Sequence, residues 1–165
     1  MRIRAKRKNR FQEYSWSQKW MTGLLLSFLF IHGLVLSLKP GCPGGLLYIG
    51  LWAVSYPVIY WGACRRCVYY GKACPVPLEG SLAQYFFKKS PDSMSISVLI
   101  WASVSYGLRI GLPVVIIVSG KMVVHGIIFG GVFLLFWIIH LYLVGCPNCV
   151  NENCPFNPDY RGLRL

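Results

Sequence analysis

Four blocks of apolar residues, each near the length of a bilayer crossing, constrain this chain more than any other feature. They run over residues 20–38, 46–63, 95–118 and 122–144. A spanning helix needs about 20 mostly apolar residues. The second block contains Pro57, and the third contains Arg109 and Pro113. Only 13% of the 165 residues are charged and 55% are hydrophobic, which leaves too little charge to cover a water-facing globule. The expected fold class is an all-α integral membrane protein with four transmembrane helices.

The links set the arrangement. Residues 39–45 and 119–121 are short and rich in Gly, Pro or Ser, as the turns of antiparallel helical pairs are. Two transmembrane hairpins are expected, over 20–63 and 95–144. A basic tail (1–19), a polar link (64–94) and a polar C-terminal tail (145–165) complete the division. Within the link, Leu78, Leu82, Tyr85 and Phe86 recur at helical spacing and predict a short interfacial helix. Ser90-Pro91 reads as the start of the third spanning helix.

The net charge is +12, with 17 Lys and Arg against five acids. With the N-terminus inside, fourteen of these basic residues fall on the inner side and only Lys39 and Lys121 fall outside. That bias predicts that both termini are cytoplasmic and that the chain lies in the cell membrane. The tail over residues 1–10 is expected to meet anionic lipid rather than nucleic acid. It is not expected to be a signal peptide, because the apolar block behind it is longer than a signal peptide's and ends in Leu-Lys-Pro.

Six of the seven cysteines form two trios at the inner side. Cys64-Arg-Arg-Cys67 is followed by Cys74-Pro75, and Cys146-Pro-Asn-Cys149 by Cys154-Pro155. Each trio follows a helix running from outside to inside, so an apolar hairpin, C-x-x-C and Cys-Pro occur twice in the same sense. A parallel internal repeat about an axis along the membrane normal would bring the trios together. Cytoplasmic thiols stay reduced, and clustered thiolates favour soft metals. Cys64, Cys67, Cys146 and Cys149 supply the four sulfurs of a tetrahedral zinc site. Cys74 and Cys154 then form a dithiol, replace a ligand, or complete the set for an iron–sulfur cluster. Arg65, Arg66 and Lys72 are expected to lower the thiol pKa values.

Arg109 has no acid within any apolar block to pair with. A charge at such depth is a functional candidate: its partner would be a quinone oxygen, a haem propionate, a lipid phosphate or a helix carbonyl, unless it reaches the outer head groups. His32 and His125 lie at similar depth, and a haem b held between them is the lesser alternative. No hydrolase or phosphate-binding motif is present.

Cys74-Pro75 and the segment after it resemble, locally, the Cys-Pro motifs at the cytoplasmic face of four-helix electron-transfer subunits of the nitrate-reductase accessory type. The tandem ferredoxin modules of those subunits are missing here. The length and helix count are also similar to disulfide-generating membrane thiol oxidases, which carry C-x-x-C on the oxidising side. The reading is a membrane subunit of a redox or respiratory assembly, with a zinc or iron–sulfur site at its cytoplasmic face. It would work beside other membrane subunits or a second copy, as a non-catalytic or electron-transfer subunit rather than a stand-alone enzyme. A thiol–disulfide oxidoreductase and a soft-metal transport protein are the alternatives.

Overall fold

The computed structural model describes residues 8–92, 96–152, 154 and 157–159. The fold is all-helical. Four helices are long and apolar enough to cross a bilayer, which supports reading the chain as a membrane protein. They are α1 (Trp16–Leu38), α2 (Cys42–Gly62), α4 (Ile96–Ser119) and α5 (Val123–Ile138); a short helix, α3 (Glu79–Phe86), lies in the link. Residues 1–7 of the basic tail, Arg161, Arg164 and Pro155 lie outside the described residues, so the tail's lipid contact and part of the charge bias are not addressed.

Helix α1 starts a turn earlier than hydropathy predicts, because Ser15 and Gln18 make a polar N-terminus: the Ser15 amide donates to Gln18 Oε1 at 3.0 Å. Cys42 is the exposed first residue of α2, with Pro43 behind it in the first turn. Ser90 Oγ donates to Asp92 Oδ2 at 3.0 Å and accepts from the Asp92 amide at 3.3 Å. The described part of α4 begins at Ile96, and the start expected at Ser90-Pro91 runs into residues 93–95, which lie outside the described residues. Helix α3 forms where expected, but Leu78 stands outside it in a left-handed conformation (φ 69°).

Polarity is reversed relative to a soluble bundle. Leu24, Ile31, Val115, Ile127 and Leu134 face outward, while Thr22, Ser37, Ser55, Ser105 and Arg109 are buried. Small polar residues at the seams let helices approach closely and share hydrogen bonds. At the α2–α4 seam, Ser105 Oγ donates to the Ser55 carbonyl at 2.9 Å and Trp52 Nε1 to the Arg109 carbonyl at 3.2 Å. Gly62 lets Trp101 lie directly on α2. The apolar core at this end joins Ile59, Tyr60, Ala83 and Val98, so α3 packs beneath α2 and α4.

Candidate functional site

Both C-x-x-C pairs adopt one local geometry. Each spanning helix runs out into a single 3-10 turn, Cys64–Arg66 or Cys146–Asn148. The Cys67 amide then bonds the Cys64 carbonyl at 3.1 Å, and the Cys149 amide bonds the Cys146 carbonyl at 3.3 Å. The following cysteine is extended in both cases (φ −84°, ψ 150° and φ −75°, ψ 134°). The turns place both C-x-x-C pairs at the ends of these helices.

The third cysteines are placed by turns of their own. Gly71, at φ 73°, reverses the link, and the Gly71 amide donates to the Gly80 carbonyl at 3.0 Å. Gly80 is required there: a Cβ would lie 2.6 Å from the Lys72 carbonyl oxygen and 2.8 Å from that of Tyr69. The Thr22 hydroxyl of α1 holds the Pro75 carbonyl beside Cys74. In the C-terminal segment, the Cys154 amide donates to the Asn151 carbonyl at 3.2 Å, and the Asn157 amide to the Cys154 carbonyl at 2.9 Å.

A strap from the N-terminal segment ties these loops together. The Lys8 amide donates to the Pro147 carbonyl at 3.1 Å, the Phe11 amide to that of Asn148 at 2.9 Å, and the Tyr14 amide to that of Ala73 at 3.2 Å. Tyr14 also donates its hydroxyl to the Gly145 carbonyl at 2.7 Å. Tyr69 Oη donates to the Phe11 carbonyl at 2.7 Å and accepts from the Val150 amide at 3.2 Å. Arg10 reaches Glu152 at 3.1 Å and Asp159 at 2.9 Å. Residues 8–14 therefore serve as a bolt across both cysteine loops rather than as a free tail.

The result is one cavity of about 200 Å³ lined by all six of these cysteines, with Glu79 and His140 in its wall. Burial pushes the Cys67 thiol up to about 12, and Cys149 and Cys154 of the other trio add to the rise. Burial likewise pushes Cys74 up to about 12, with the Glu79 carboxylate adding. The expected lowering by basic neighbours does not occur, because burial outweighs it and the guanidinium groups turn elsewhere. Arg66 donates to the Gly62 carbonyl at 3.0 Å and approaches Asp92 at 3.7 Å, and Arg65 lies over Trp61 at 4.6 Å. Among the described residues, no three His, Cys, Asp or Glu side chains are gathered as a ready-made metal site.

Arg109 does have an acidic partner, and it comes from outside the apolar blocks. Arg109 Nη1 donates to Glu79 Oε1 at 2.8 Å, with the two side chains only 1% and 7% exposed. Arg109 Nε donates to Ser55 Oγ at 2.8 Å, and Tyr56, Tyr106 and Trp52 present ring faces within 5.2 Å. Arg109 thus points toward the cysteine end, not toward head groups at the far end. Burial lifts the Glu79 carboxyl above its ordinary range, and the Arg109 guanidinium pulls it back.

His140 and Glu79 are the two site residues that spacing and hydropathy did not single out. His140 lies in a single π-helical turn, Ile139–Leu143, that continues α5. Such bulges often accompany functional positions. Its ring stacks on Phe136 at 5.8 Å, and its Nδ1 is buried without a partner among the described residues. Its place six positions before Cys146 is a signal of sorts. Glu79 offered a clearer one, as the only acid in an otherwise apolar Pro-Val-Pro-Leu-Glu-Gly stretch.

His32 and His125 do meet, but at the opposite end of the bundle. His32 Nε2 and His125 Nδ1 are 3.1 Å apart, and His125 Nε2 lies 3.2 Å from Lys39 Nζ. With Lys39 protonated, His125 Nε2 must accept, so His125 Nδ1 donates to His32. The direct contact leaves no room between the rings for a macrocycle. Compared with known proteins, the chain matches no family model, no curated protein and no solved structure.

Proposed function

We propose that the protein is a membrane subunit of a redox or respiratory assembly that holds a soft metal, as zinc or an iron–sulfur cluster, on thiolates at the cytoplasmic face. The observation that carries the reading is the lining of one cavity by both cysteine trios. Two C-x-x-C turns of equal geometry offer the two-plus-two sulfur set of a tetrahedral site, with Cys74 and Cys154 beside it. A soft metal would be held there by thiolates, so binding it would release the thiol protons of its ligands. His140, whose buried Nδ1 has no partner among the described residues, is available in the same wall.

The matching turns also support a parallel repeat of two hairpins. The distribution of Lys and Arg supports cytoplasmic termini and trios on the reducing side. A thiol–disulfide enzyme is less favoured, because its nucleophile must be thiolate near neutral pH, and burial holds Cys67 and Cys74 far above that range.

The test is elemental analysis and visible absorption of anaerobically purified protein, beside Cys64→Ser and Cys146→Ser. The expected result is stoichiometric metal in the parent and depletion in both variants, with a broad visible band if the group is an iron–sulfur cluster. Retention of full metal by either variant, or thiols that cycle with a quinone in a metal-free protein, would overturn the reading.

A further inference from the structure

A second hollow, of about 480 Å³, lies on the far side of Cys74 from the cysteine cavity. Cys74 lines both, so the groove and the cavity share a wall. One side of the groove is the first half of α1, and the other is the link from Ala73 to Leu78. Its size falls within the range of small-molecule sites.

The lining is divided by chemistry. Among the described residues, Lys19 is the one charged residue in its lining, and none of the lining residues is an acid. The Lys19 ammonium lies 4.3 Å from the Trp16 ring centre, which holds the charge at the mouth. Along the helix beyond Lys19, the lining is mostly apolar, with Trp20, Leu24 and Pro77, and Ser27 and Ser81 are its other polar residues. Gly23 keeps the floor low: it packs on Pro77 so closely that a Cβ would lie 2.9 Å from the proline ring.

Position narrows the ligand further. Trp16 and Trp20 are 71% and 59% exposed at the start of a spanning helix, where indole rings mark the boundary between head groups and hydrocarbon. From Trp16 to Ser27 the groove follows α1 for roughly 16 Å, at 1.5 Å per residue. A ligand that fits has a negative end at the bilayer surface and an apolar end directed into the hydrocarbon. We infer that this groove is a binding site for one anionic phospholipid, with its phosphate on Lys19 and an acyl chain along Trp20 and Leu24. The site is separate from the basic residues 1–10 and does not depend on what the cysteine cavity holds.

Native mass spectrometry of the purified protein with phosphatidylglycerol or phosphatidylcholine tests the assignment. One phosphatidylglycerol should be retained per chain in the groove, where Lys19 contributes a preference of about fivefold, the effect of one basic residue near anionic lipid. Lys19→Gln should remove that roughly fivefold share of the preference, leaving only what the basic residues 1–10 contribute, and Lys88→Gln, outside the groove, should keep it. Phosphatidylglycerol brominated in its chain should quench the parent's fluorescence more than that of Trp20→Phe. Equal retention of the two lipids, an unchanged preference in Lys19→Gln, an equal loss in Lys88→Gln, or equal quenching would each overturn the site.

Discussion

Arg109 on α4 and Glu79 at the start of α3 are joined at 2.8 Å inside the bundle, although only Arg109 belongs to a spanning segment. The pair draws the link upward and makes Glu79 part of the cysteine cavity's wall. Removing Arg109 leaves a buried carboxylate without its cation. Arg109→Leu should therefore cost about 3–5 kcal/mol near neutral pH, read as thermal unfolding in detergent.

The pH dependence of that variant has a definite sign. A carboxyl whose folded pKa is raised contributes stability that is full below its unfolded value and lost as pH rises through the folded value. Burial already raises Glu79, and Arg109 is what restrains the rise. Arg109→Leu should extend the window upward, so its stability recovers on acidification more than the parent's does. Arg109→Leu with Glu79→Leu should flatten the profile. A parallel pH profile in parent and single variant would contradict this.

The strap makes a separate claim. Tyr69 Oη bridges the Phe11 carbonyl and the Val150 amide, and Tyr14 Oη holds the Gly145 carbonyl. Tyr69→Phe should cost about 1–3 kcal/mol by removing this partner from the part-buried Phe11 carbonyl and Val150 amide, and Tyr14→Phe about 0.5–1.5 kcal/mol, since the Gly145 carbonyl still accepts from the Asn148 amide. Both should also raise the rate at which Cys149 is alkylated in metal-free protein, read by peptide mapping. Unchanged labelling would mean that the strap does not guard the site.

Gly80 tests the packing that seats Cys74. Gly80→Ala forces a Cβ against the Lys72 and Tyr69 carbonyl oxygens, so a loss of about 1–3 kcal/mol is expected. Metal content should fall with it, measured by elemental analysis beside Ser81→Ala as a control.

The histidine pair at the other end should be independent of the cysteine site. His32→Ala or His125→Ala breaks the contact at 3.1 Å but touches nothing in the cavity wall. Metal content should stay at the parental value, and depletion by either variant would join the two ends functionally.

Much of the architecture was legible because bilayer crossing is a one-dimensional property. Block length and hydropathy located all four helices, and the ends moved only where local chemistry intervened, as Ser15 and Gln18 do for α1. Cysteine spacing located the residues of the cavity. Spacing says nothing about burial, so the expected lowering of the thiol pKa values was reversed at Cys67 and Cys74. Glu79 escaped notice as Arg109's partner because a search confined to the apolar blocks omits the link.

By itself, the sequence determined the number of long apolar helices, the short helix in the link and the two C-x-x-C turns. Each depends on neighbours within a few positions: hydrophobic length, helical spacing, or a glycine or proline at a helix end. Only the tertiary structure decided that residues 8–14 bolt the two cysteine loops together, that Glu79 reaches Arg109, and that His140 enters the same wall. These are contacts between distant segments, set by how the seams pack and by the need to pair a buried charge and buried backbone groups.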